Sequence, residues 1–580
     1  MKVILAKNAG FCMGVRRAVE TTMDMVRANE EEIATFGPLI HNPQVLDILR
    51  ERGVKILDNI PDHSAGTIII RAHGIPPKQK EKLLSIGAKI EDATCPRVVK
   101  VQAIISRYKK EGCATVIIGD RNHAEVEGLM GYAEPHGVVV SNDNDLENLQ
   151  ISSPYIIVSQ TTQDDASFER LSEMIMARFP GGRVFNTICD STHKRQEAVL
   201  ELCGMVQAMV VVGGKSSANT KRLGEIVENK GCPVFMVETE EDLDMKALAH
   251  FDCVGVTAGA STPAWMIDRV IRTLESIPGR GQSVVGTMAY RFLCFLLASN
   301  LLVSLGGGAL VYVCSRLQGT SLSLDHLFIV FGYLFAMHNF NRFTSRWHKK
   351  GSDPVREVFN KKYRWPLLIA SSIFLVVALG LSYRINWQTF LLLALISVLG
   401  GMYNVRFIPG FVSAVIRVRK LKEIPGSKTL FVAMAWAFVI VLVPLWADRS
   451  YLPPQALGTF LFVLLLVFVR NALSDVFEVQ SDQMVGKETL PVCIGKKRTL
   501  TLLYAIMLFL ALMLLFFPLC GFMSKTGFWL LPGIVYLALV AVLYERKMLL
   551  HGTKLAFGLD AIFFVLAVLA RIGDYGGYYL

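Results

Sequence analysis

Near its amino end the chain reads VILAKNAGFCMG (residues 3–14), a short apolar run that gives way at Cys12 to a helix-like pattern. Two later apolar runs repeat this arrangement directly before Cys95 and before Cys189. The nearly equal spacing predicts three similar αβ units, each of which directs one thiolate at a common centre. Three thiolates leave one iron of a 4Fe–4S cluster open, so the pattern indicates a redox site for a small molecule.

Further apolar runs of four to six residues end in polar, small-residue turns and alternate with amphipathic stretches. This alternation predicts βα units with buried parallel sheets, whose ligands gather at the carboxyl ends of the strands. We therefore expect an α/β trefoil, three pseudo-threefold lobes around a central site. Each lobe would supply one cysteine turn and two polar turns, paired as His41 with His73, His123 with Thr161, and Asn219 with Ser261.

The polar turns have a shared chemical meaning. Histidine, serine, threonine and asparagine side chains, together with backbone N–H groups at helix starts, form a cradle suited to a diphosphate. Glu125 is the one carboxylate of this set, and burial near an anion should raise its pKa and suit it to proton delivery, with Thr161 or Thr162 as a relay. Three cysteines and a histidine could also make a zinc site, although structural zinc usually uses closely paired ligands.

Composition divides the chain into two halves. A chain of 580 residues is too long for one hydrophobic core and should form several domains. After about residue 286 the sequence changes from mixed α/β character to long apolar stretches. The net charge of +11 lies mostly between those stretches, which indicates membrane orientation and no nucleic-acid partner. The eleven cysteines lack dense pairing, so we expect a reducing compartment, and the amino-terminal apolar run is too short for a signal peptide.

A resemblance to a known family covers residues 1 to about 282. The motifs that carry it are Gly10–Val15, His41-Asn42, Ala72-His73-Gly74, Asp92–Pro96, His123–Gly128, Gln160-Thr161-Thr162, Cys189 with Arg195–Ala198, Ser217-Ala218-Asn219 and Thr257–Ser261. This half resembles the 4-hydroxy-3-methylbut-2-enyl diphosphate reductase (IspH, or LytB) family. The resemblance implies reductive removal of the substrate's allylic hydroxyl, which gives isopentenyl and dimethylallyl diphosphate in the last step of the non-mevalonate isoprenoid pathway.

The resemblance also implies roles for individual residues. A 4Fe–4S cluster would be held by Cys12, Cys95 and Cys189, protons would pass through Glu125 and Thr161, and ferredoxin or flavodoxin would donate electrons. The substrate's diphosphate would be bound by His41, His73, His123, Thr161, Thr162, Ser217, Ala218, Asn219 and Ser261. Ala218 departs from the family, which typically has serine there, so we expect backbone N–H groups to cover the lost hydroxyl contact.

The second half predicts nine membrane spans. They are 288–314, 325–340, 366–384, 387–402, 428–446, 457–473, 499–522, 526–544 and 555–571. The connections 341–365, 403–428, 470–498 and 545–554 carry 8, 6, 5 and 3 Lys or Arg residues, whereas the alternate connections carry one each. We therefore expect a multi-pass protein of the inner (plasma) membrane, with the basic loops and the reductase half in the cytoplasm.

Three carboxylates follow one of these spans. Asp475, Glu478 and Asp482 share one helical face, a spacing that can hold Mg²⁺ against a diphosphate. With Gly486–Pro491, Gly401–Asn404 and Trp436, this stretch resembles UbiA-type membrane prenyltransferases over about 286–580.

The resemblance breaks at the family's first aspartate motif. By spacing, its three aspartates become Asn339, Arg342 and Arg346, so that an acidic cradle becomes a basic face. These arginines could bind a diphosphate directly, without the first metal ion, or catalysis could be lost and the domain kept as an anchor or lipid binder.

Two domains are thus expected, a reductase domain over 1–282 and a UbiA-like transmembrane domain over 283–580. Three hypotheses remain open: a reductase tethered to the membrane, a bifunctional enzyme that also transfers a prenyl group, and a metal-dependent hydrolase or zinc protein on a membrane scaffold.

Overall fold

The computed structural model describes residues 1–28, 32–62, 66–147, 149–151, 154–277, 284–344, 354–402, 427–443, 445, 454–479, 482, 489–546 and 553–576. The chain forms two compact units, Met1–Gln282 and Ser283–Leu580. The first unit is α/β and the second is helical, and each has hydrophobic clusters of its own.

Twelve strands of the first unit form three four-stranded sheets. The strands are β1 (Lys2–Leu5), β2 (Ile33–Phe36), β3 (Lys55–Leu57), β4 (Thr67–Ile70), β5 (Lys89–Asp92), β6 (Ala114–Ile118), β7 (Gly137–Val140), β8 (Tyr155–Ser159), β9 (Arg183–Val184), β10 (Ala208–Val212), β11 (Val234–Val237) and β12 (Cys253–Ala258). The central strands are wholly buried apolar runs, as expected for parallel sheets covered on both faces.

The three sheets have equivalent strand orders, β1-β12-β10-β11, β5-β4-β2-β3 and β9-β8-β6-β7, and every strand pair is parallel. In each sheet the strand before a candidate cysteine lies at one edge, and the strands before the two polar turns follow it. The first sheet is closed by residues distant in sequence, because β1 pairs with β12.

Helices connect the strands. They are α1 (Met13–Arg27), α2 (Pro43–Glu51), α3 (Pro77–Ser85), α4 (Pro96–Lys110), α5 (Ala124–Ala133), α6 (Asp143–Glu147), α7 (Asp165–Arg178), α8 (Asp190–Cys203), α9 (Ala218–Asn229), α10 (Met245–Leu248) and α11 (Ala264–Ser276), with a 3₁₀ turn at Glu240–Asp242.

The apolar run before Cys189 forms only the two-residue strand β9. Beyond it, the Thr187 side chain takes over the pairing with β8: its hydroxyl accepts from the Ser159 N–H at 2.8 Å and donates to the Ser159 carbonyl at 2.7 Å. The outer strands β3, β7 and β11, which sequence did not single out, complete the sheets.

The second unit consists of helices. They are α12 (Val284–Ala298), α13 (Leu301–Gln318), α14 (Leu324–Thr344), α15 (Pro354–Ile385), α16 (Trp387–Met402), α17 (Ser427–Ala437, continued by a π-helical turn at Phe438–Leu442), α18 (Pro454–Phe477), α19 (Leu490–Ile494), α20 (Lys496–Phe516), α21 (Thr526–Trp529), α22 (Leu531–Glu545) and α23 (Thr553–Gly576).

Six stretches among the described residues are long and apolar enough to cross a membrane: Leu301–Gln318, Phe359–Ile385, Pro454–Phe477, Lys496–Phe516, Thr526–Glu545 and Thr553–Asp574. The predicted count of nine spans is therefore not confirmed. The predicted stretch 288–314 is two helices, because Asn300 adopts a left-handed conformation (φ +62°) between α12 and α13. Asparagine tolerates this conformation better than most residues.

Candidate functional site

The three candidate cysteines occupy equivalent positions. Cys12, Cys95 and Cys189 are the N-cap residues of α1, α4 and α8. Each cysteine N–H donates to a carbonyl in the turn that follows the neighbouring strand: Ala260 at 3.1 Å, Ala72 at 2.9 Å and Thr161 at 3.0 Å, respectively. The fold therefore repeats one local arrangement three times and directs three partly buried thiols at a shared centre.

Close packing supports this convergence. A Cβ added at Gly14 would lie 2.4 Å from the Cys95 Sγ, so the first turn of α1 passes directly against the Cys95 thiol. Burial raises the pKa of Cys95, and the neighbouring thiols of Cys12 and Cys189 raise it further. Three thiols that share one electrostatic environment, at the ends of three helices, fit an iron–sulfur group whose ligands are thiolates.

Three imidazoles form a second cluster in this unit. The ring centroids of His41, His73 and His123 are 4.5 to 5.4 Å apart, and one nitrogen from each ring lies within 4.8 Å of the others. Burial lowers the pKa of all three, that of His123 to about 4, and the nearby Arg71 guanidinium lowers them further. The free site thus holds neutral imidazoles, a set that could accept an anion or hold a metal ion.

Serine and asparagine side chains complete this cluster. The Ser261 hydroxyl donates to the His41 carbonyl at 2.9 Å, which joins the first and second lobes. Ser217 is the N-cap of α9, which begins at Ala218, and Asn219 lies in its first turn. A Cβ added at Gly214 would lie 3.0 Å from the His41 carbonyl oxygen, so this turn also reaches the histidines.

Several polar atoms of the site are buried without a hydrogen-bond partner among the described residues. They are the His41 Nε2, the His73 Nδ1 and the Asn219 Nδ2. Buried polar groups normally have partners, so unpaired atoms at one site indicate a missing polar ligand. An anion with several oxygens would satisfy them.

Glu125 is joined to Thr161 by two hydrogen bonds. The Thr161 N–H donates to Oε1 at 2.7 Å, and the Thr161 hydroxyl donates to Oε2 at 2.8 Å. Glu125 is only 2% exposed, and this burial raises its pKa to about 7, although the two bonds from Thr161 oppose the rise. A carboxyl with such a pKa can hold or release a proton near neutrality.

Thr161 also contacts the thiol centre. Its carbonyl accepts from the Cys189 N–H at 3.0 Å and from the Thr192 hydroxyl at 3.1 Å. Thr162 is oriented differently, since its hydroxyl accepts from the Gln160 Nε2 at 2.9 Å. Of the two threonine hydroxyls, that of Thr161 therefore bonds to Glu125 and that of Thr162 to Gln160.

Sequence reasoning gave no role to three arginines of this unit. Arg71 lies beside the histidines, and Arg195 is buried near the thiols. Arg222 links two lobes, because its Nη2 donates to the Gln163 Oε1 at 2.7 Å, two residues after Thr161. The sequence could have indicated Arg71 and Arg195, because they lie beside and inside the motifs quoted above. Arg222 lies outside those motifs, so the sequence gave no indication of its role.

In the second unit, the altered first motif caps a helix end. The Arg342 guanidinium donates to the Ala298 carbonyl and to the Asn300 side chain, and Asn339 accepts from the Asn300 Nδ2 at 2.9 Å. A cation at a helix C-terminus is favourable. Arg342 is thus engaged with the end of α12, and Arg346 lies outside the described residues.

Two carboxylates of the second motif, those of Asp475 and Asp482, are buried, whereas Glu478 is exposed. Asp475 accepts from the Thr429 hydroxyl at 2.8 Å, Asp482 is 1% exposed, and its N–H donates to the Glu478 carbonyl at 2.9 Å. On the same helix Arg470 pairs with the buried Asp560. Buried ionisable groups between apolar helices are costly and usually functional.

The imidazole of His338 lies near residues of both motifs. His338 directly precedes Asn339, and the charges of Arg342, Lys428 and Arg470 all act on its imidazole. Residues of the first motif, of α17 and of α18 therefore converge on one polar region of the second unit.

Comparisons with known proteins match the two halves separately. The LytB protein family model matches residues 3–275, and the UbiA prenyltransferase family model matches residues 361–557. The UbiA match and the six apolar stretches together make the second unit a multi-pass membrane domain of the UbiA type.

Proteins named 4-hydroxy-3-methylbut-2-enyl diphosphate reductase are close relatives of the first half. Those of Geobacter sp. (strain M21) and Citrifermentans bemidjiense are 43% and 44% identical over 281 residues, which is 48% of this chain and 98% of each relative. A solved reductase structure from Plasmodium falciparum is 29% identical and covers 47% of this chain and 86% of its own, with a TM-score of 0.45.

A UbiA homolog from Aeropyrum pernix K1 is similar to the second half, with 15% identity, coverage of 47% of this chain and 97% of its own, and a TM-score of 0.36. Since relatives above 40% identity are covered almost completely, through its first half the chain belongs to the LytB, or 4-hydroxy-3-methylbut-2-enyl diphosphate reductase, family.

Proposed function

We propose that the first unit reduces 4-hydroxy-3-methylbut-2-enyl diphosphate to isopentenyl and dimethylallyl diphosphate. The allylic C–O bond breaks, the hydroxyl takes one proton and leaves as water, and a second proton forms a C–H bond at the allylic system. Two electrons from a one-electron donor protein balance the reaction. Ferredoxin or flavodoxin is the proposed donor.

One observation carries this proposal: Thr161 contacts both the thiol centre and the proton-holding carboxyl. Its carbonyl accepts from the Cys189 N–H, while its N–H and hydroxyl donate to Glu125. A carboxyl whose pKa is near neutrality is thus linked through Thr161 to one of the proposed ligand cysteines, which supports the proposal. Reductive removal of a hydroxyl needs both parts together.

The proposed cluster is a 4Fe–4S group held by Cys12, Cys95 and Cys189. When bound, it would supply one-electron redox chemistry at the substrate's hydroxyl. The residues of this chain do the rest: the thiol-bearing turns fix its place, Glu125 holds a proton in a site of low polarity, and Thr161 relays that proton.

The proposed diphosphate site consists of His41, His73, His123, Ser217, Asn219 and Ser261, with the backbone N–H groups at the start of α9 around Ala218. The unpartnered His41 Nε2, His73 Nδ1 and Asn219 Nδ2 support an anionic ligand here. A metal ion on the three imidazoles would leave the Asn219 amide unpaired, so the diphosphate accounts for more of the site.

We further propose that the membrane half has the nine spans predicted from the sequence, and that some of them are tilted or broken. The excess of Lys and Arg in alternate loops supports a cytoplasmic position for the reductase half at the inner membrane. That position would give the site access to soluble electron donors and to its small, charged substrate.

The experiment uses anaerobic membranes that contain the full chain, a strong reductant and isotope-labelled 4-hydroxy-3-methylbut-2-enyl diphosphate. We expect label in isopentenyl and dimethylallyl diphosphate. The protein should contain iron and acid-labile sulfide, and Glu125→Gln should retain both while turnover falls. Zinc in place of iron and sulfide, or intact cluster without conversion, would refute the reductase proposal.

The membrane half has a second candidate function, the transfer of a prenyl group from a diphosphate. The observation that favours it is the buried carboxylate of Asp475, which accepts from the Thr429 hydroxyl, since a buried ionisable group between apolar helices is usually functional. Asp475, Glu478 and Asp482 are the proposed ligands of Mg²⁺ in this half.

The same labelling experiment tests this second function. We expect label to pass into extractable lipid when an acceptor is present, and Asp475→Asn should stop that passage while reduction continues. Label that stays confined to the two soluble diphosphates, with acceptor lipids supplied, would leave the membrane half as a tether.

A further inference from the structure

Arg195 is a buried cation in the reductase unit. The side chain belongs to α8, six residues after Cys189, and the residue is 3% exposed. Its Nε donates to the Asn8 carbonyl at 3.0 Å and its Nη2 to the Gly10 carbonyl at 2.7 Å. Both acceptors are neutral carbonyls of the turn that leads to Cys12.

The positive charge has no carboxylate partner among the residues that the structure describes. Its third nitrogen, Nη1, is buried without a hydrogen-bond acceptor. A buried charge is expensive unless an opposite charge compensates it. The buried guanidinium of Arg195 would therefore be stabilised by an anionic group bound nearby.

Two candidate ligand thiols lie within electrostatic range of this guanidinium. Burial lowers the pKa of Arg195, whereas the nearby thiolate charges of Cys12 and Cys189 raise it. The turn that Arg195 holds is also the one that places Cys12. Arg195 thus holds the turn that positions Cys12, and its charge acts on both Cys12 and Cys189.

We infer that Arg195 is the counter-cation of the iron–sulfur cluster and a positioning residue that sets the cluster's reduction potential. The inference rests on the proposed function, since it requires a cluster at Cys12, Cys95 and Cys189. Reduction adds one negative charge to the cluster. A fixed cation in a site of low polarity stabilises that charge and raises the potential.

The experiment is an anaerobic redox titration of the full-length protein, in detergent, followed by electron paramagnetic resonance. We expect Arg195→Gln to lower the ratio of reduced to oxidised cluster at least tenfold at a fixed potential, which is about 59 mV for one electron. Arg195→Lys keeps the charge and should remain near wild type.

Arg178→Gln is the matched control. Arg178 also donates to two backbone carbonyls, those of Leu146 and Glu147, but it is exposed and belongs to α7 in another lobe, so it controls for the loss of two such bonds. We expect its cluster potential to equal that of wild type.

The outcomes separate the inference from the function on which it rests. Wild-type protein without iron and sulfide refutes the proposed function itself. A loaded wild type whose potential is unchanged in Arg195→Gln, or shifts equally in Arg195→Lys, refutes the role of the charge. If Arg195→Gln fails to incorporate the cluster, the iron content of Arg195→Lys is the test. Iron in Arg195→Lys would support a role for the positive charge. Loss of iron from both variants would refute that role and show that Arg195 only holds the loop.

Discussion

Thr161→Val should move the alkaline limb of the reductase pH profile to higher pH. In the wild type the Thr161 hydroxyl donates to the Glu125 Oε2 at 2.8 Å, and this bond opposes the rise in the pKa of Glu125 that burial causes. Valine has the same shape but no donor. The carboxylate therefore loses a stabilising bond, its pKa rises, and the protonated form persists to higher pH.

The structure gives the size of the underlying effect. Burial raises the pKa of Glu125 from 4.5 to about 7, a difference that corresponds to about 3 kcal/mol. At pH 7 about half of the carboxyls are protonated, whereas about 0.3% would be at the ordinary pKa. If protonated Glu125 is required, wild-type kcat/KM should fall about tenfold per pH unit above pH 8.

The assay is anaerobic oxidation of a reduced dye by 4-hydroxy-3-methylbut-2-enyl diphosphate, with kcat/KM measured from pH 5.5 to 9.5. This parameter reports the ionisations of the free enzyme and the free substrate. The substrate is the same for every variant, so a displaced limb belongs to the protein. The absolute rate of Thr161→Val should also fall, because the relay is lost, but the position of the limb is the test.

Thr162→Val is the matched control, since the Thr162 hydroxyl accepts from Gln160 and does not touch Glu125. Its limb should coincide with that of wild type. A Thr161→Val limb that stays in place or moves to lower pH would refute the assignment of that limb to Glu125.

Three further predictions concern the two clusters of the reductase unit. The three imidazoles are neutral in the free site, so inorganic diphosphate should bind with proton uptake and more tightly at pH 6 than at pH 7, and His73→Asn should weaken binding about tenfold; calorimetric heats that are equal in buffers of different ionisation enthalpy would contradict this. Cys95→Ser should reduce iron and acid-labile sulfide at least tenfold while Cys113→Ser retains both, and equal loss would count against a specific ligand. Gly14→Ala should impair loading because its Cβ would meet the Cys95 Sγ at 2.4 Å, whereas Gly204→Ala meets only an ordinary 3.6 Å contact and should load normally.

The amino-acid sequence determined the type of fold and much of the candidate site. Apolar runs that end in polar turns specify parallel strands with functional carboxyl ends, and this local pattern was enough to place Cys95, His73, Thr161 and their equivalents. Motif resemblance indicated the family, and the family model and relatives above 40% identity confirm it. The long apolar stretches likewise indicated a membrane half.

Only the tertiary structure decided which distant residues meet. The pairing of β1 with β12 brings Cys12 into the lobe of Ser217 and Ser261, a contact across about 250 residues that no local periodicity encodes. The sequence contains Arg195 within a motif but does not show its environment. Its proposed role depends on its burial and on the absence of a carboxylate partner among the described residues.

The altered first motif of the membrane half shows the same division. Sequence reported that Arg342 stands where an aspartate is expected, and it left a direct grip on diphosphate open. The structure shows the guanidinium bonded to the Ala298 carbonyl at the end of α12 and to the side chain of the left-handed Asn300. Residue type is encoded locally, whereas partners, burial and electrostatic environment arise only when the folded chain brings remote segments together.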